Sequence, residues 1–391
     1  MPSIQNLARR IFALGELSLE EFRSADLLVR FLRAEGFRVR RGVAGLPTAF
    51  VARRQGVRPR PRLALLAEYD ALPGIGHACG HNLIGAAACG AAAIAARVSR
   101  DAGTIVVYGT PAEETLGGKV AMTRRGLFRG LDAALMFHPS TEDRVATTSL
   151  ACHSLEVTYL GRAAHAVAAP ETGINALTSV LRLFAAVDRL PERLPRGARL
   201  AGIIAEGGAR PNIVPERAVA RFTLRARTRR DLARVESAFR SAARRAGRVT
   251  GARVRIRPLD LPYDEMRTNE TLARIFREEL AALGRRAVET PRRRMGSLDM
   301  GNVSQVVPAI HPYVAIAPVT TPLHSRAFAR RAGGRSGRRG LEVATRALAA
   351  TALRLIADPE IVEAARREFA AGGGRRRARL ARLARRARRA A

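Results

Sequence analysis

Apolar residues follow two different patterns over the first 150 positions of the chain, unbroken runs and helical repeats. The runs 62–70, 104–114 and 133–138 predict buried strands that end in polar residues. Before the first run, 20–37 has apolar residues at helical spacing. Between the first two runs, 83–96 indicates a buried alanine-rich helix that is too short to span a bilayer. Buried strands separated by helices predict an α/β fold, in which a mixed sheet carries helices on both faces.

The pattern changes near Cys152, where alternating stretches and helical repeats follow in the order β-α-β-β-α-β. This order is typical of a ferredoxin-like α+β unit. Helical repeats like those of the first 150 residues then resume at 269–283 and 340–357. We therefore predict three parts, which are a discontinuous domain (1–152 and 259–371), an inserted lid (153–258) and a basic low-complexity tail (372–391).

The first candidate for chemistry is the segment 76–81, which reads GHACGH. In an extended segment, residues two apart point to the same face, so Cys79 and His81 could bind one metal ion through a thiolate and an imidazole. The alternative is a turn that holds a buried thiol beside ordinary histidines. The segment alone leaves both interpretations open.

Further candidate ligands follow the ends of predicted strands, where ligands bind in α/β sheets. Glu113 and Glu114 follow the second run, His138 ends the third, and His324 follows another apolar segment. A thiolate, imidazoles and one carboxylate suit two ions such as zinc, about 3.5–4 Å apart, and leave the second carboxylate as a general base. Asp70, at the end of the first run, would orient a ligand. The alternative for the two glutamates is an ordinary solvated loop.

Six motifs occur in order across nearly the whole chain: LLAEYDALPGIGHACGHN, GTPAEETLGGK, LGRAAHA, ARPNIVPE, GSLDMGNVSQVVPAIHPY and LHS. They resemble the di-metal aminoacylase/carboxypeptidase superfamily, metallopeptidase family twenty, and are most similar to its amidohydrolase branch. The stretch EYDALPGIGHACGHN particularly resembles the dipeptidase and aminobenzoyl-glutamate hydrolase-like subgroup. The resemblance implies a zinc-exopeptidase-like fold for the discontinuous domain.

The resemblance also implies a role for each candidate. It implies two divalent ions, zinc first and manganese as the alternative, held by Cys79, His81, Glu114, His138 and His324. It implies that Glu113 is the general base, that His165 in GRAAHA stabilises the oxyanion, and that Asn212 in PNIVP contacts the substrate. The last two belong to the lid, through which members of the family form homodimers.

Four other polar residues remain without such a role. His77 has no ligand role in the family pattern, and His153 and His311 are interpreted as structural or substrate-lining residues. Asn82 stands where much of the branch has aspartate, which indicates a subgroup rather than a loss of activity.

The resemblance implies a metal-dependent hydrolase that cuts the amide bond of a dipeptide or an N-acyl amino acid. The alternative within that class is an N-acyl-amino-acid or aminobenzoyl-glutamate hydrolase. The alternative from another functional class is an inactive polyanion-binding protein on the same scaffold. The net positive charge of the chain is the reason for considering it. A redox protein that uses Cys79 is disfavoured because no resolving cysteine lies nearby.

The chain has 391 residues and a formal net charge of +34, and Lys119 is its only lysine. We attribute the charge to arginine replacing lysine on the surface and to the basic tail, and expect no specific nucleic-acid partner and no membrane partner. Three cysteines make no disulfide framework, and the first residues lack the pattern of a secretory signal. Both features favour the cytoplasm.

Overall fold

The computed structural model describes residues 3–190, 194–289 and 296–372. Its helices are α1 (Ile4–Leu14), α2 (Phe22–Ala34), α3 (His81–Val98), α4 (Gly118–Arg124), α5 (Ala176–Arg189), α6 (Arg229–Thr250), α7 (Glu270–Ala282), α8 (Met300–Val303), α9 (Arg326–Gly333) and α10 (Arg335–Ala357). Its strands are β1 (Arg38–Arg41), β2 (Phe50–Gln55), β3 (Arg58–Ala67), β4 (Ala102–Gly109), β5 (Ala133–Leu135), β6 (His138–Ser140), β7 (Ala151–Leu160), β8 (Arg199–Glu206), β9 (Arg217–Ala226), β10 (Arg253–Pro258), β11 (Ala309–Ile310) and β12 (Tyr313–Ala315).

By internal contacts the chain divides into two compact units. The first comprises Met1–Thr148, Arg267–Arg294 and Asn302–Ala391, and the second comprises Ser149–Met266 and Met295–Gly301. The predicted lid, 153–258, falls within the second unit, which extends a few residues beyond it on each side. The domain boundaries drawn from the sequence stay predictions. The predicted tail lies outside the described residues, except for Gly372.

The first unit is built on a six-stranded sheet in the order β1-β2-β4-β3-β5-β11. Strand β3 runs parallel to β4 and β5, β11 runs parallel to β5, and β1 and β2 complete the sheet with antiparallel pairs. The inner strands β3 and β4 end in long runs of consecutive buried residues, so both faces of the sheet are covered. The predicted α/β fold with a mixed sheet is confirmed.

Helix α3 is the central helix of the first unit. It packs against β3 and β4 and against helices α1 and α10. Close approach needs glycine at two points, because a Cβ on Gly85 would lie 2.8 Å from the Glu68 carbonyl oxygen and one on Gly90 would lie 2.6 Å from a side-chain carbon of Ile4. By length and composition α3 could cross a membrane, but 83% of it is buried inside the protein. This matches the predicted buried helix.

The carboxyl ends of two central strands carry acids, as the sequence predicts. Strand β3 ends just before Glu68 and Asp70, and β4 ends just before the segment that holds Glu113. The third predicted strand was wrong in one respect, because β5 stops at Leu135 and His138 begins β6. Strand β6 pairs in parallel with β12 as a separate two-stranded sheet. The strand that pairs with β6 is distant in sequence, so no local pattern predicts the break between β5 and β6.

The second unit has its own four-stranded antiparallel sheet in the order β10-β7-β9-β8. Along the chain its elements follow as β7-α5-β8-β9-α6-β10, which is the predicted ferredoxin-like arrangement. Helix α5 begins where Asn175 accepts a hydrogen bond from the Thr178 N–H, and α6 begins where Thr228 accepts one from Asp231. The core of this unit packs both helices on the sheet and includes Tyr159, Leu183, Phe222 and Phe239.

Candidate metal centre

Six side chains predicted from the sequence lie close together in the first unit. They form three overlapping groups, which are Cys79 with His81 and His138, Cys79 with Glu114 and His324, and His81 with Glu113 and Glu114. Within each group the candidate ligand atoms lie within 4.8 Å of one another. The shared members join the groups into one cluster. The individual roles implied by the resemblance stay predictions.

A glycine positions the first two members. Gly80 has a left-handed φ of 82° and caps helix α3, which begins at His81. A Cβ on Gly80 would lie 2.8 Å from a ring carbon of Pro139, so only glycine fits between this loop and β6. The close approach places the Cys79 Sγ 3.3 Å from the Nε2 of His138.

His81 is fully buried, and Asp70 determines which of its nitrogens faces the cluster. The His81 Nδ1 lies 2.9 Å from the Asp70 carboxylate and donates its proton there, which leaves Nε2 without a proton when a metal ion is bound. Burial would lower the pKa of His81, but Cys79 and Asp70 outweigh it and raise the pKa well above its usual value. The same negative potential attracts a cation to Nε2.

Asp70 itself is held as an anion. Burial would raise its pKa, but His81 and the backbone N–H of Glu114 outweigh burial and lower the pKa to about 2. Its second oxygen accepts hydrogen bonds from the Ser18 hydroxyl at 2.8 Å and the Glu114 N–H at 3.1 Å. Asp70 therefore links the His81 ring to the loop that carries the two glutamates.

The two glutamates stand on a tight loop between β4 and α4. Ala112 has a left-handed φ of 57°, and its N–H donates to the buried carboxylate of Glu21 at 2.8 Å. A Cβ on Gly118 would lie 2.0 Å from the Pro111 carbonyl oxygen, so the loop closes only with glycine there. The Oε1 of Glu114 lies 3.9 Å from the Nε2 of His81 and 3.8 Å from that of His324.

The distant histidines complete the cluster. The Nδ1 of His138 donates to the Pro139 carbonyl oxygen at 2.7 Å, which leaves its Nε2 as an acceptor. Burial, together with His311 and His81, lowers the pKa of His138 well below its usual value and keeps the ring neutral. His324 has a left-handed φ of 54°, and its N–H donates to the Ala78 carbonyl oxygen at 3.3 Å, which ties it to the loop before α3.

The cluster has the properties of a site for divalent metal ions. The Nε2 of His81 and the Oε1 of Glu114 are buried and have no hydrogen-bond partner among the residues that the structure describes. Such atoms are costly unless a cation or water satisfies them. Burial raises the pKa of the Cys79 thiol, and a bound metal ion would stabilise its thiolate form. Thiolate, imidazole and carboxylate ligands together fit zinc.

The two remaining predicted residues, His165 and Asn212, lie in the second unit and are both exposed. They are neighbours, because His165 pairs with Ile213 in an isolated bridge. The Nδ1 of His165 accepts hydrogen bonds from the two N–H groups of residues 167 and 168, at 3.3 and 3.1 Å. The neutral ring therefore carries its proton on Nε2, where it can donate to an external oxygen.

Sequence reasoning missed two buried residues beside the cluster. The Oε2 of Glu68 lies 3.3 Å from the Nε2 of His81, and the Lys119 ammonium lies 2.5 Å from the other oxygen of Glu68. Both stand in motifs quoted above, Glu68 in LLAEYDALPGIGHACGHN and Lys119 in GTPAEETLGGK, but no role was assigned to either residue. Two signals were available, because both residues belong to those motifs and Lys119 is the only lysine in the chain.

The histidines without a predicted role have distinct surroundings. His77 is buried, contacts the Ile11 carbonyl oxygen at 3.1 Å and stacks on Phe12, away from the three groups. His153 pairs with Glu236 at 2.9 Å within the second unit. His311 lies beside His138, with ring centroids 5.5 Å apart, and burial together with Lys119 lowers its pKa to about 3.

Curated proteins are similar to most of the chain. The Xaa-Arg dipeptidase of Mus musculus is 36% identical over 380 residues, which cover 93% of this chain and 88% of the relative. The Homo sapiens Xaa-Arg dipeptidase is 34% identical over 384 residues, with the same coverage. One subunit of the p-aminobenzoyl-glutamate hydrolase of Escherichia coli K12 is 34% identical over 303 residues, or 71% of this chain and 62% of the relative.

Solved structures share the fold. A Bacillus subtilis protein, YXEP, described as a dinuclear metal binding peptidase from the M20 family, matches with a TM-score of 0.68 at 20% identity, over 90% of this chain and 97% of its own. An aminobenzoyl-glutamate utilization protein from Klebsiella pneumoniae has the same TM-score and identity, over 88% and 94%. A family model described as Peptidase family M20/M25/M40 matches residues 64–326. The chain therefore belongs to peptidase family M20/M25/M40 and is a hydrolase of that family.

Proposed function

We propose that the protein is a metal-dependent dipeptidase that hydrolyses dipeptides with a basic C-terminal residue. The observation that carries the proposal is the cluster of one thiol, three imidazoles and two carboxylates in the first unit. The substrate class is supported by the mouse and human relatives, which are Xaa-Arg dipeptidases similar over 93% of this chain.

We infer that two divalent ions occupy the cluster, with zinc favoured by the thiol and manganese as the alternative. The residues that would hold them are Cys79, His81, Glu114, His138 and His324. When bound, such ions polarise the scissile carbonyl and make a water molecule nucleophilic at neutral pH. Asp70 orients the ring of His81 toward them.

The positions of the two glutamates support a division of roles between them. Glu114 belongs to two of the three ligand groups and lies within 4 Å of two histidines, as expected of a ligand. Glu113 belongs to one group, and its closest approach to the His81 Nε2 is 4.0 Å. We infer that Glu113 takes a proton from the attacking water and returns it to the leaving amine nitrogen.

We infer that His165 and Asn212 act on the substrate during turnover. The Nε2–H of His165 is free to donate because its Nδ1 accepts from the backbone. A hydrogen-bond donor of this kind stabilises the negative charge that develops on the carbonyl oxygen. Asn212, next to it in the fold, would contact the substrate.

Two alternatives remain for the activity. Hydrolysis of N-acyl amino acids or of aminobenzoyl-glutamate is supported by the Escherichia coli relative. An inactive polyanion-binding protein is motivated by the net charge of +34. The complete set of ligands and the general base in one cluster favours an enzyme, because a scaffold released from catalysis has no need of them.

We also propose a homodimer that forms through the second unit, in the cytoplasm. Strand β8 is an edge strand of its sheet, and Ile203 and Ile204 on it are 61% and 44% exposed. Light scattering should give twice the chain mass. Ile203→Lys should lower the measured mass, whereas Val249→Lys on the exposed face of α6 should not.

The three cysteines are free thiols, which suits a reducing compartment such as the cytoplasm. Fractionation of cells that contain the protein tests this location.

The activity is tested by amino-acid release from a substrate panel. The panel contains dipeptides ending in arginine or lysine, dipeptides with neutral C-terminal residues, N-acetyl amino acids and aminobenzoyl-glutamate, with zinc or manganese added. Glu113→Gln serves as the blank. Turnover of basic dipeptides alone supports the proposal. Turnover of another class alone would replace the proposed substrate with that class. Absence of turnover by the metal-loaded protein would contradict the proposal that the protein is an enzyme.

A further inference from the structure

The only lysine of the chain lies fully buried next to the metal centre. The chain has 68 lysine and arginine residues, and all of them except Lys119 are arginine. The side chain of Lys119 has no exposed surface. It stands in the first turn of α4, where the positive end of the helix dipole disfavours a cation. A buried cation in this position needs a strong counter-charge.

Glu68 provides that counter-charge and also faces the centre. Its Oε1 accepts from the Lys119 ammonium at 2.5 Å, while its Oε2 lies 3.3 Å from the Nε2 of His81. Glu68 is 1% exposed, so the carboxylate has little freedom to turn. One oxygen is thus directed at Lys119 and the other at the nitrogen where a metal ion would bind.

Lys119 contributes a positive charge next to a centre that is rich in groups that can be anionic. These groups include Cys79, Glu68, Asp70, Glu113 and Glu114. Two divalent ions would supply four positive charges, and Lys119 adds one more. A buried group of charges is stable when its members are paired and hydrogen-bonded.

We propose that Lys119 is a positioning residue, which fixes the carboxylate of Glu68 so that its second oxygen faces the metal ion on His81. The inference rests on the proposed metal centre. The compact ammonium, with its tetrahedral donors, fits the closed space beside Glu68, whereas a planar guanidinium needs more room and directs its donors in a fork. The position therefore requires lysine in a chain that otherwise uses arginine.

The test compares zinc affinity and thermal unfolding of the wild type with those of Lys119→Arg, Glu68→Gln, Lys119→Met and the double variant Glu68→Gln/Lys119→Met. Zinc affinity is measured by competition with a chromophoric chelator, and zinc content by elemental analysis after dialysis. Arg124→Lys, an exposed change at the end of the same helix, is the matched control. The double variant removes both charges together and avoids leaving one of them buried alone.

We expect Lys119→Arg to weaken zinc binding about 10–100-fold although the charge is kept. The two single neutral variants should unfold at a lower temperature than the wild type. The double variant should recover most of that loss while zinc binding stays at least about tenfold weaker. Arg124→Lys should behave like the wild type in both measurements.

Two results would overturn the inference, and they are distinguishable. If Lys119→Arg or the double variant binds zinc as tightly as the wild type, the pair is only a structural ion pair and the metal centre stands. If the wild type itself binds no zinc or manganese, the proposed metal centre fails, and this inference fails with it.

Discussion

At the scale of single residues, the metal centre depends on backbone positions that ordinary side chains avoid. Ala112 and His324 have left-handed φ angles of 57° and 54°, and each is held by a hydrogen bond from its own N–H. Such conformations cost about 1–2 kcal/mol and persist where the surrounding structure fixes them. The strain brings the Glu113–Glu114 pair and the His324 ring to the cluster.

The role of His165 belongs to the same scale. We predict that His165→Ala lowers kcat about 10²–10³-fold with little change in KM, because its Nε2–H would act on charge that develops in the transition state. Steady-state kinetics on the best dipeptide measures both constants. His153→Ala, in the same unit but paired with Glu236, is the control and should affect stability more than kcat. An equal loss of kcat in both variants would contradict the proposed role of His165 in stabilising the oxyanion.

At the scale of elements, loops after strands carry the chemistry and glycines set their shape. A Cβ on Gly118 would lie 2.0 Å from the Pro111 carbonyl oxygen, which is too close for any real contact. Gly207, in contrast, has 3.4 Å to its nearest neighbour and an unstrained backbone. The two positions therefore differ in what an added methyl group would displace.

We predict that Gly118→Ala displaces the loop that carries Glu113 and Glu114 and lowers both zinc content and turnover at least about tenfold. The matched change Gly207→Ala should keep both within about twofold. Elemental analysis and dipeptide turnover on the folded proteins give the comparison. A Gly118→Ala enzyme with normal zinc content would show that the loop tolerates the methyl group.

Strand pairing in the second unit contains a pH-dependent ion pair. Burial would raise the pKa of Glu156, but hydrogen bonds from Arg221 and Arg257 outweigh it and lower the pKa. A lowered folded-state pKa means that the stabilisation is present above the unfolded-state pKa, and is lost as the pH falls through the folded-state value. The guanidinium groups are exposed, so water screens the pair in part.

We predict that Glu156→Gln lowers the free energy of unfolding by about 1 kcal/mol at pH 7. The difference from the wild type should shrink below about pH 4.5, where the unfolded carboxyl takes up a proton. Urea unfolding at several pH values measures it. A difference that grows toward acid pH would contradict the assigned direction of the pKa shift.

Much of this architecture could be predicted because burial imposes a period on the sequence. The four strands and two helices of the second unit lie close to the stretches that the pattern indicated. The break after Leu135 was missed, because the apolar run continues through Phe137 and only the pairing of β6 with β12 separates the two. The contact between Lys119 and Glu68 was not predicted for a related reason, because the two residues are 51 positions apart and only the fold brings them together.

At the scale of the whole molecule, basic residues outnumber acidic ones by two to one. The chain has 68 lysine and arginine residues against 34 aspartate and glutamate residues, so no pairing scheme can neutralise them all. Several acids already serve two arginines, as Asp132 does with Arg60 and Arg366. The excess positive charge favours non-specific contact with polyanions, independently of catalysis.

We predict that truncation after Gly372 weakens DNA binding and leaves dipeptide turnover unchanged. The removed segment carries nine arginines and no acid, so the formal net charge falls from +34 to +25. Binding of both proteins should weaken steeply with salt, with a smaller slope for the truncated chain. Tight, sequence-selective binding that survives truncation would favour the polyanion-binding alternative.

The proposed mechanism requires that Glu113 acts on the attacking water while Glu114 holds the metal. Zinc content and dipeptide turnover, measured together for the wild type, Glu113→Gln and Glu114→Gln, test it most directly. We expect about two zinc ions per chain in the wild type and in Glu113→Gln, turnover lowered about 10²–10⁴-fold in Glu113→Gln, and loss of zinc in Glu114→Gln. Loss of zinc from Glu113→Gln with retention in Glu114→Gln would contradict the assignment.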